Sequence, residues 1–157
     1  MKTVKYLFLD VDGTLTDGKI YMSSTGELFK AFSVKDGYAL NNLAKENGIL
    51  PIIVTGRESE IVRMRCRELG IEKVFQGVPD KAAFVQDYMK AASLEQAAMM
   101  GDDIPDLGAM RLIRNGGGLA GCPFDAAEQV KKAADFVAPH KGGEGAVRDF
   151  IEWIIEN

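Results

Sequence analysis

At 157 residues, with 46% apolar and 27% charged residues, the chain has the size and balance of one globular domain with a proper core. A net charge of −4, with both signs spread along the sequence, argues against a nucleic-acid binder, which concentrates basic residues on one face. No apolar run approaches the roughly 18–20 residues that cross a bilayer, so a membrane-spanning helix is not expected.

In chain order, residues 4–11 (VKYLFLDV) read as a first strand. Residues 19–33 (KIYMSSTGELFKAFS) hold two short apolar-aromatic runs around Ser-Ser-Thr-Gly, the pattern of a projecting hairpin flap. A helix is expected over 36–47, with Leu40, Leu43 and Ala44 as its apolar positions and Asn47-Gly48 as its stop. Residues 49–55 (ILPIIVT) form a second strong strand, and 58–69 a helix that ends at Gly70. Shorter strands are expected at 73–75, 97–101, 118–121 and 135–137. The intervening helices cover 81–92, 105–113, 124–134 and 145–155. This alternation predicts an α/β fold: one parallel sheet with helices on both faces, in a single domain with a small flap. Ligands of such sheets gather beyond the carboxyl ends of the strands.

Chemistry-bearing residues fall at those ends. The first strand runs into Asp10-Val11-Asp12-Gly13-Thr14, and residues two apart on an extended chain face the same way, so Asp10 and Asp12 share a pocket. A second acidic group, Gly101-Asp102-Asp103-Ile104-Pro105-Asp106, follows another expected strand. Two carboxylates about 4 Å apart repel by roughly 4 kcal/mol at an effective dielectric near 20. A hard divalent cation removes that repulsion, and Mg²⁺ favours a few carboxylates plus water and phosphate oxygens. Asp10, Asp102 and the main-chain carbonyl of Asp12 are the expected ligands, with Asp103 and Asp106 in support. Taken singly, each acidic motif is more often a helix cap, and Asp36 and Asp106 have that alternative reading; joint occurrence favours a site. Thr55-Gly56-Arg57 ends the second strong strand, where a hydroxyl and backbone N–H groups at a helix start suit phosphoryl oxygens. Lys81 opens a helix, against the helix dipole, as expected of a lysine kept to pair with a carboxylate and a phosphoryl group.

DVDGT, the VTGR threonine, Lys81 and GDDIPD stand in the order of the four motifs of the haloacid dehalogenase superfamily, which the chain resembles over nearly its whole length. The resemblance implies a Rossmann-like sheet and a Mg²⁺-dependent phosphatase. Asp10 would attack phosphorus, Asp12 would act as acid and then base, Thr55 and Lys81 would hold the phosphoryl group, and Asp102 would complete the metal site. The segments between Asp10, Thr55 and Lys81 are too short for an inserted cap domain. A signalling receiver domain also groups acidic residues, a threonine and a lysine around Mg²⁺. Its phosphorylated aspartate sits on a different strand from its acidic pair, whereas Asp10 and Asp12 share one.

LTDG (Leu15 to Gly18), FSVKDG (Phe32 to Gly37), EIVRMRCRELGI, FQGVPDK and KGGEGAVRDF further resemble a capless branch, the 3-deoxy-D-manno-octulosonate (KDO) 8-phosphate phosphatases. That implies a sugar-acid phosphate substrate, a place in lipopolysaccharide sugar synthesis, and a homotetramer whose flaps and neighbouring subunits enclose each site. Thr14, Gly56, Arg57, Lys141, Gly142 and Gly143 are then the expected substrate-binding residues. Members often read valine where this chain has Thr14. A related branch takes the nine-carbon keto-sugar acid 9-phosphate, which stays the alternative substrate; Arg57 and Glu68 tilt the comparison toward eight carbons. Cys66 and Cys122 match no metal-ligand spacing, and with no signal-like segment ahead of the first strand they read as reduced thiols of a cytoplasmic protein. His140, the only histidine, reads as a surface or interface residue.

Overall fold

Leu7, Phe8 and Leu9 are fully buried because their strand lies at the middle of the sheet, covered on both faces. The computed structural model describes residues 3–157. Its main sheet has six strands: β1 (Tyr6–Leu9), β4 (Leu50–Val54), β5 (Lys73–Phe75), β6 (Ala97–Met100), β7 (Leu119–Cys122) and β8 (Phe136–Val137). They lie in the order β5-β4-β1-β6-β7-β8, and every pairing is parallel. The chain builds outward from β1 through β4 to β5, then returns to lay β6 on the other side of β1. That reversal opens a crevice at the carboxyl ends of β1 and β6.

Alternation along β1 sends Leu7 and Leu9 to one layer and Phe8 to the other. Leu7 and Leu9 join Ile53, Met100, Leu40, Val62, Cys66, Phe150 and Ile151, so that layer is covered by α1 (Val34–Tyr38), α2 (Ala44–Glu46), α3 (Glu60–Glu68) and α7 (Ala146–Glu156). Phe8 joins Ile52, Met99, Val85, Met110, Ile113 and Val130, under α4 (Lys81–Tyr88), α5 (Leu107–Asn115) and α6 (Glu128–Ala133). Helices therefore flank both faces. Among the described residues, no helix is long and apolar enough to cross a membrane.

Three local features differ from the sequence expectation. The helix expected from Asp36 begins at Val34, because the Ser33 hydroxyl accepts from the N–H groups of Lys35 and Asp36. It runs through a π-helical turn, Ala39–Leu43, before α2. Asp36 instead caps a distant helix, its Oδ1 accepting from the Arg148 N–H at 3.0 Å. The helix expected over 124–134 is only Glu128–Ala133. The residues before it are held elsewhere: Phe124 N–H donates to His140 O, and Ala127 N–H to Asp102 O. Pro105 does not open α5 but lies in a 3₁₀ turn, Ile104–Asp106.

Between β1 and α1, β2 (Tyr21–Ser23) and β3 (Gly26–Phe29) pair antiparallel, with a register shift at Tyr21/Met22. Tyr21 stacks on Phe29 with ring centroids 4.4 Å apart, and its hydroxyl donates to Asp17 Oδ2 at 2.6 Å. Met22, Leu28 and Phe29 remain exposed.

Candidate active site

Leu9 is level with Ile53 on β4 and Met100 on β6, so the chain segments carrying Asp10, Thr55 and Asp102 leave the sheet at one edge. Asp10 stays tied to it, its N–H donating to Met100 O at 3.1 Å. The chain then turns at Gly13, whose φ of 89° is left-handed and whose missing Cβ would lie 1.9 Å from Asp102 Oδ2. Only glycine lets the two acidic segments come this close. The Thr16 hydroxyl oxygen holds the turn by accepting from the N–H groups of Gly13 and Gly18, both at 3.2 Å. Thr16 was visible only as part of the LTDG motif and not as a site residue, since its duty depends on the loop's shape.

The result is an open pocket of about 440 Å³ lined by Asp10, Asp12, Thr55, Gly56, Arg57, Lys81, Asp102, Asp103 and Asp106, with Gly18, Val78, Pro79 and Pro105. Lys81 is buried at its floor and donates to Asp10 Oδ1 at 2.7 Å and Asp106 Oδ1 at 2.6 Å. Burial works against its charge, but the two carboxylates outweigh that and raise its pKa, favouring the ammonium. Asp80 starts this helix correctly, capping the Ala83 N–H at 3.0 Å and fixing the turn that aims Lys81 inward.

Asp10, Asp102 and Asp106 each bring one ligand oxygen within 4.8 Å of the others. Their duties differ. Asp106 Oδ1 takes Lys81, and its Oδ2 accepts from the N–H groups of Asp102 and Asp103 at 3.0 and 3.2 Å, so it organises the loop. Asp103 is exposed and caps Ile104 at 2.8 Å, in a capping box with Asp106. Asp10 and Asp102 retain oxygens toward the pocket. Burial pushes the pKa of Asp10 up, with Asp106 adding to the rise and Lys81 opposing it. Burial raises Asp102 as well, reinforced by the Asp10 carboxylate beside it. Carboxylates that resist ionising together are what a divalent cation relieves, and hard oxygen donors suit Mg²⁺. The donor set fits the metal.

Metal binds the deprotonated carboxylates, and both groups hold their protons above the usual range, so uptake of Mg²⁺ releases protons and affinity climbs with pH through neutrality. Calorimetric titration with Mg²⁺ in buffers of different ionisation enthalpy measures that release; a pH-independent affinity is the contrary result.

Asp12 lies at the pocket wall with its side chain 20% exposed. Its carboxylate stands apart from the Asp10–Asp102 pair: Oδ1 accepts from Lys30 Nζ at 2.7 Å, and Oδ2 lies 3.9 Å from Arg57 Nε, an ion pair without a hydrogen bond. Lys30 was not legible as a site residue, because only the folded flap brings it back 18 positions to Asp12. Thr55 is buried at the end of β4, while Gly56 and Arg57 are exposed at the rim.

Four expected substrate contacts fall elsewhere. Thr14 is fully buried and its hydroxyl oxygen has no hydrogen-bond partner, which leaves it no face toward the pocket. A Cβ on Gly142 would lie 1.9 Å from Gly13 O, and one on Gly143 2.7 Å from Asp17 N. These glycines let the 141–145 loop press against the outside of the Gly13–Gly18 turn. Gly143 N–H donates to Thr14 O, and Gly142 N–H to Asp125 Oδ1 at 3.0 Å. Lys141 is exposed beside them and does not line the pocket. His140 is half exposed and paired with Asp149 at 2.8 Å.

No protein-family model matches the chain. It is similar to the 3-deoxy-D-manno-octulosonate 8-phosphate phosphatase KdsC of Escherichia coli (strain K12), with 36% identity over 156 residues that span 98% of this chain and 80% of that protein. The phosphatase of that name from Moraxella catarrhalis, solved in complex with magnesium ion, phosphate ion and a KDO molecule, superposes with a TM-score of 0.90 at 39% identity, covering 99% of this chain and 87% of that one. The cobalt-bound form of the Haemophilus influenzae phosphatase gives 0.89 at 35% identity, over 98% and 88% of the two chains. Sequence, fold and site thus agree: the chain belongs to the KDO 8-phosphate phosphatase family, a capless branch of the haloacid dehalogenase superfamily.

Proposed function

We propose that the protein hydrolyses 3-deoxy-D-manno-octulosonate 8-phosphate to KDO and phosphate, through an aspartyl-phosphate at Asp10. The observation that carries the reading is the buried Lys81 bridging Asp10 and Asp106 at the floor of a pocket where Asp10 and Asp102 converge. Asp10, Asp102 and the main-chain carbonyl of Asp12 would hold Mg²⁺, which would supply positive charge that keeps Asp10 ionised and offsets charge on the phosphoryl oxygens. Asp10 attacks phosphorus and the ester P–O bond breaks, while Asp12 gives a proton to the departing sugar oxygen. Lys81 and Thr55 hold the transferring group. Asp12, now a carboxylate, takes a proton from water as that water attacks phosphorus, and Asp10 is regenerated.

Arg57, exposed at the rim, meets the substrate's own carboxylate in this reading, which its open guanidinium beside Asp12 supports. Lys141, Gly142 and Gly143 act in this reading by backing the Gly13–Gly18 turn or by facing a neighbouring subunit. Exposed Met22, Leu28, Phe29, Val34 and Met64 support a homotetramer that closes the site, since among the described residues only the small flap stands near it. The 157 residues function as one catalytic domain with its flap. Buried free Cys66 and Cys122 are in keeping with a cytoplasmic setting.

Phosphate release from eight- and nine-carbon keto-sugar acid phosphates, with and without Mg²⁺, tests the assignment. The expected result is Mg²⁺-dependent turnover with the higher kcat/KM on the eight-carbon ester. A preference for the nine-carbon ester, or turnover undiminished by chelation, contradicts it.

A further inference from the structure

The Asp12 carboxylate ends a chain of polar contacts that begins outside the pocket, at Gln76. Gln76, just after β5, accepts from the Ser59 N–H at 2.7 Å and donates to Ser59 O at 3.2 Å. Ser59 stands at the N-cap position of α3, yet its hydroxyl caps nothing. A serine there ordinarily accepts from the helix's own N–H groups. Instead it donates to Glu27 Oε2 on the flap at 2.7 Å. Glu27 Oε1 takes Lys30 Nζ at 2.7 Å, and Lys30 Nζ reaches Asp12 Oδ1, also at 2.7 Å.

The Lys30 side chain is only 3% exposed, although Met22, Leu28 and Phe29 on the same flap are exposed. An ammonium taken out of water holds its position only between partners that compensate it, and here two carboxylates do so. One Asp12 oxygen is thereby fixed, while Oδ2 has only the longer ion pair to Arg57. Proton transfer demands a donor–acceptor separation of roughly 2.6–3.2 Å, and a misplacement of about 1 Å costs on the order of 100-fold in rate.

We propose that Lys30 is a positioning residue that, by holding Oδ1, fixes the Asp12 carboxyl group for transfer of a proton from Oδ2 to the leaving group, and that Glu27 and Ser59 fasten it to the β4–α3 turn. The proposal rests on Asp12 as the proton-transfer group of the reaction above. Ordering of the flap and alignment of Asp12 are then one event, because Glu27 and Lys30 lie on the flap while Ser59 and Asp12 lie on the body.

Leaving-group chemistry separates this role from a structural one. A sugar alkoxide leaves poorly without a proton, whereas p-nitrophenolate leaves readily without one. The test compares kcat/KM, which reports transfer to Asp10, for the sugar phosphate and for p-nitrophenyl phosphate in Lys30→Met, Lys30→Arg, Glu27→Gln and Asp12→Asn. Lys30→Met is expected to lose roughly 30–100-fold on the sugar phosphate, chiefly in kcat, and about 3-fold or less on the aryl ester. Glu27→Gln shows the same selectivity more weakly, Lys30→Arg recovers most of the loss, and Asp12→Asn shows the selectivity most strongly. Equal losses on both esters in Lys30→Met, or no loss on the sugar phosphate, overturn the proposal while leaving Asp12 its role. An Asp12→Asn variant without selectivity overturns that role and this proposal with it.

Discussion

Asp10→Asn is expected to abolish turnover while leaving the fold intact. Loss of a covalent nucleophile costs roughly 10⁴–10⁶-fold in kcat, because the groups that serve it cannot replace it. Asparagine keeps the shape of aspartate, and its amide oxygen still accepts from Lys81, which Asp106 continues to hold. Stability without metal should not fall. The folded pKa of Asp10 lies above its ordinary value, so the folded protein favours the protonated side chain, and ionisation at neutral pH costs stability that increases as pH rises through the folded value. The amide removes that cost. The variant should therefore melt no lower than the metal-free wild type and gain less from added Mg²⁺, a pattern visible in thermal denaturation with and without the ion. A variant turning over at a tenth of the wild-type rate or more, about 1.4 kcal/mol of barrier, would remove Asp10 from the attacking role.

Lys81→Met should damage stability and catalysis together. The ammonium lies between Asp10 and Asp106 with its side chain 7% exposed, and removing it leaves two buried carboxylates facing each other. Breaking a buried charge network from one side costs about 3–5 kcal/mol. Part of that should return on adding Mg²⁺, since the cation takes over some of the compensation. Activity should fall by a further 10²–10³-fold, about the cost of one preorganised donor to the transferring group, when assayed well below the melting transition. Urea denaturation at several Mg²⁺ concentrations, paired with kcat/KM on folded protein, measures both. Near-normal turnover in stably folded Lys81→Met would show that the lysine only balances charge.

Legibility in the sequence followed the range of the interactions. Strand–helix alternation and the Asp10, Thr55 and Asp102 segments at strand ends were readable because both depend on local periodicity and on the carboxyl-end rule for parallel sheets. Asp106 was readable as an acidic residue that supports the loop, which its bonds to the Asp102 and Asp103 N–H groups do, but its bond to Lys81 was not, because that lysine arrives from another helix. Asp36 looked like the cap of its own helix; Ser33 holds that place, and Asp36 reaches across 112 positions to Arg148. Gly142 and Gly143 were expected near the substrate only through the family resemblance; within one chain their lack of side chains serves contact with the Gly13–Gly18 backbone, a packing role that no local pattern announces. Lys30 gave no signal at all. A lysine among aromatics on a flap is ordinary until the hairpin closes and buries it against Asp12.

Chemical trapping of the intermediate tests the reaction most directly. Protein quenched during turnover of KDO 8-phosphate with Mg²⁺ and reduced with borohydride converts an acyl phosphate into the corresponding alcohol, which peptide mass spectrometry locates. Homoserine at position 10, dependent on both substrate and metal and absent from Asp10→Asn, is the predicted result. Reduction at Asp12, Asp102 or any other carboxylate, with position 10 untouched, would contradict it.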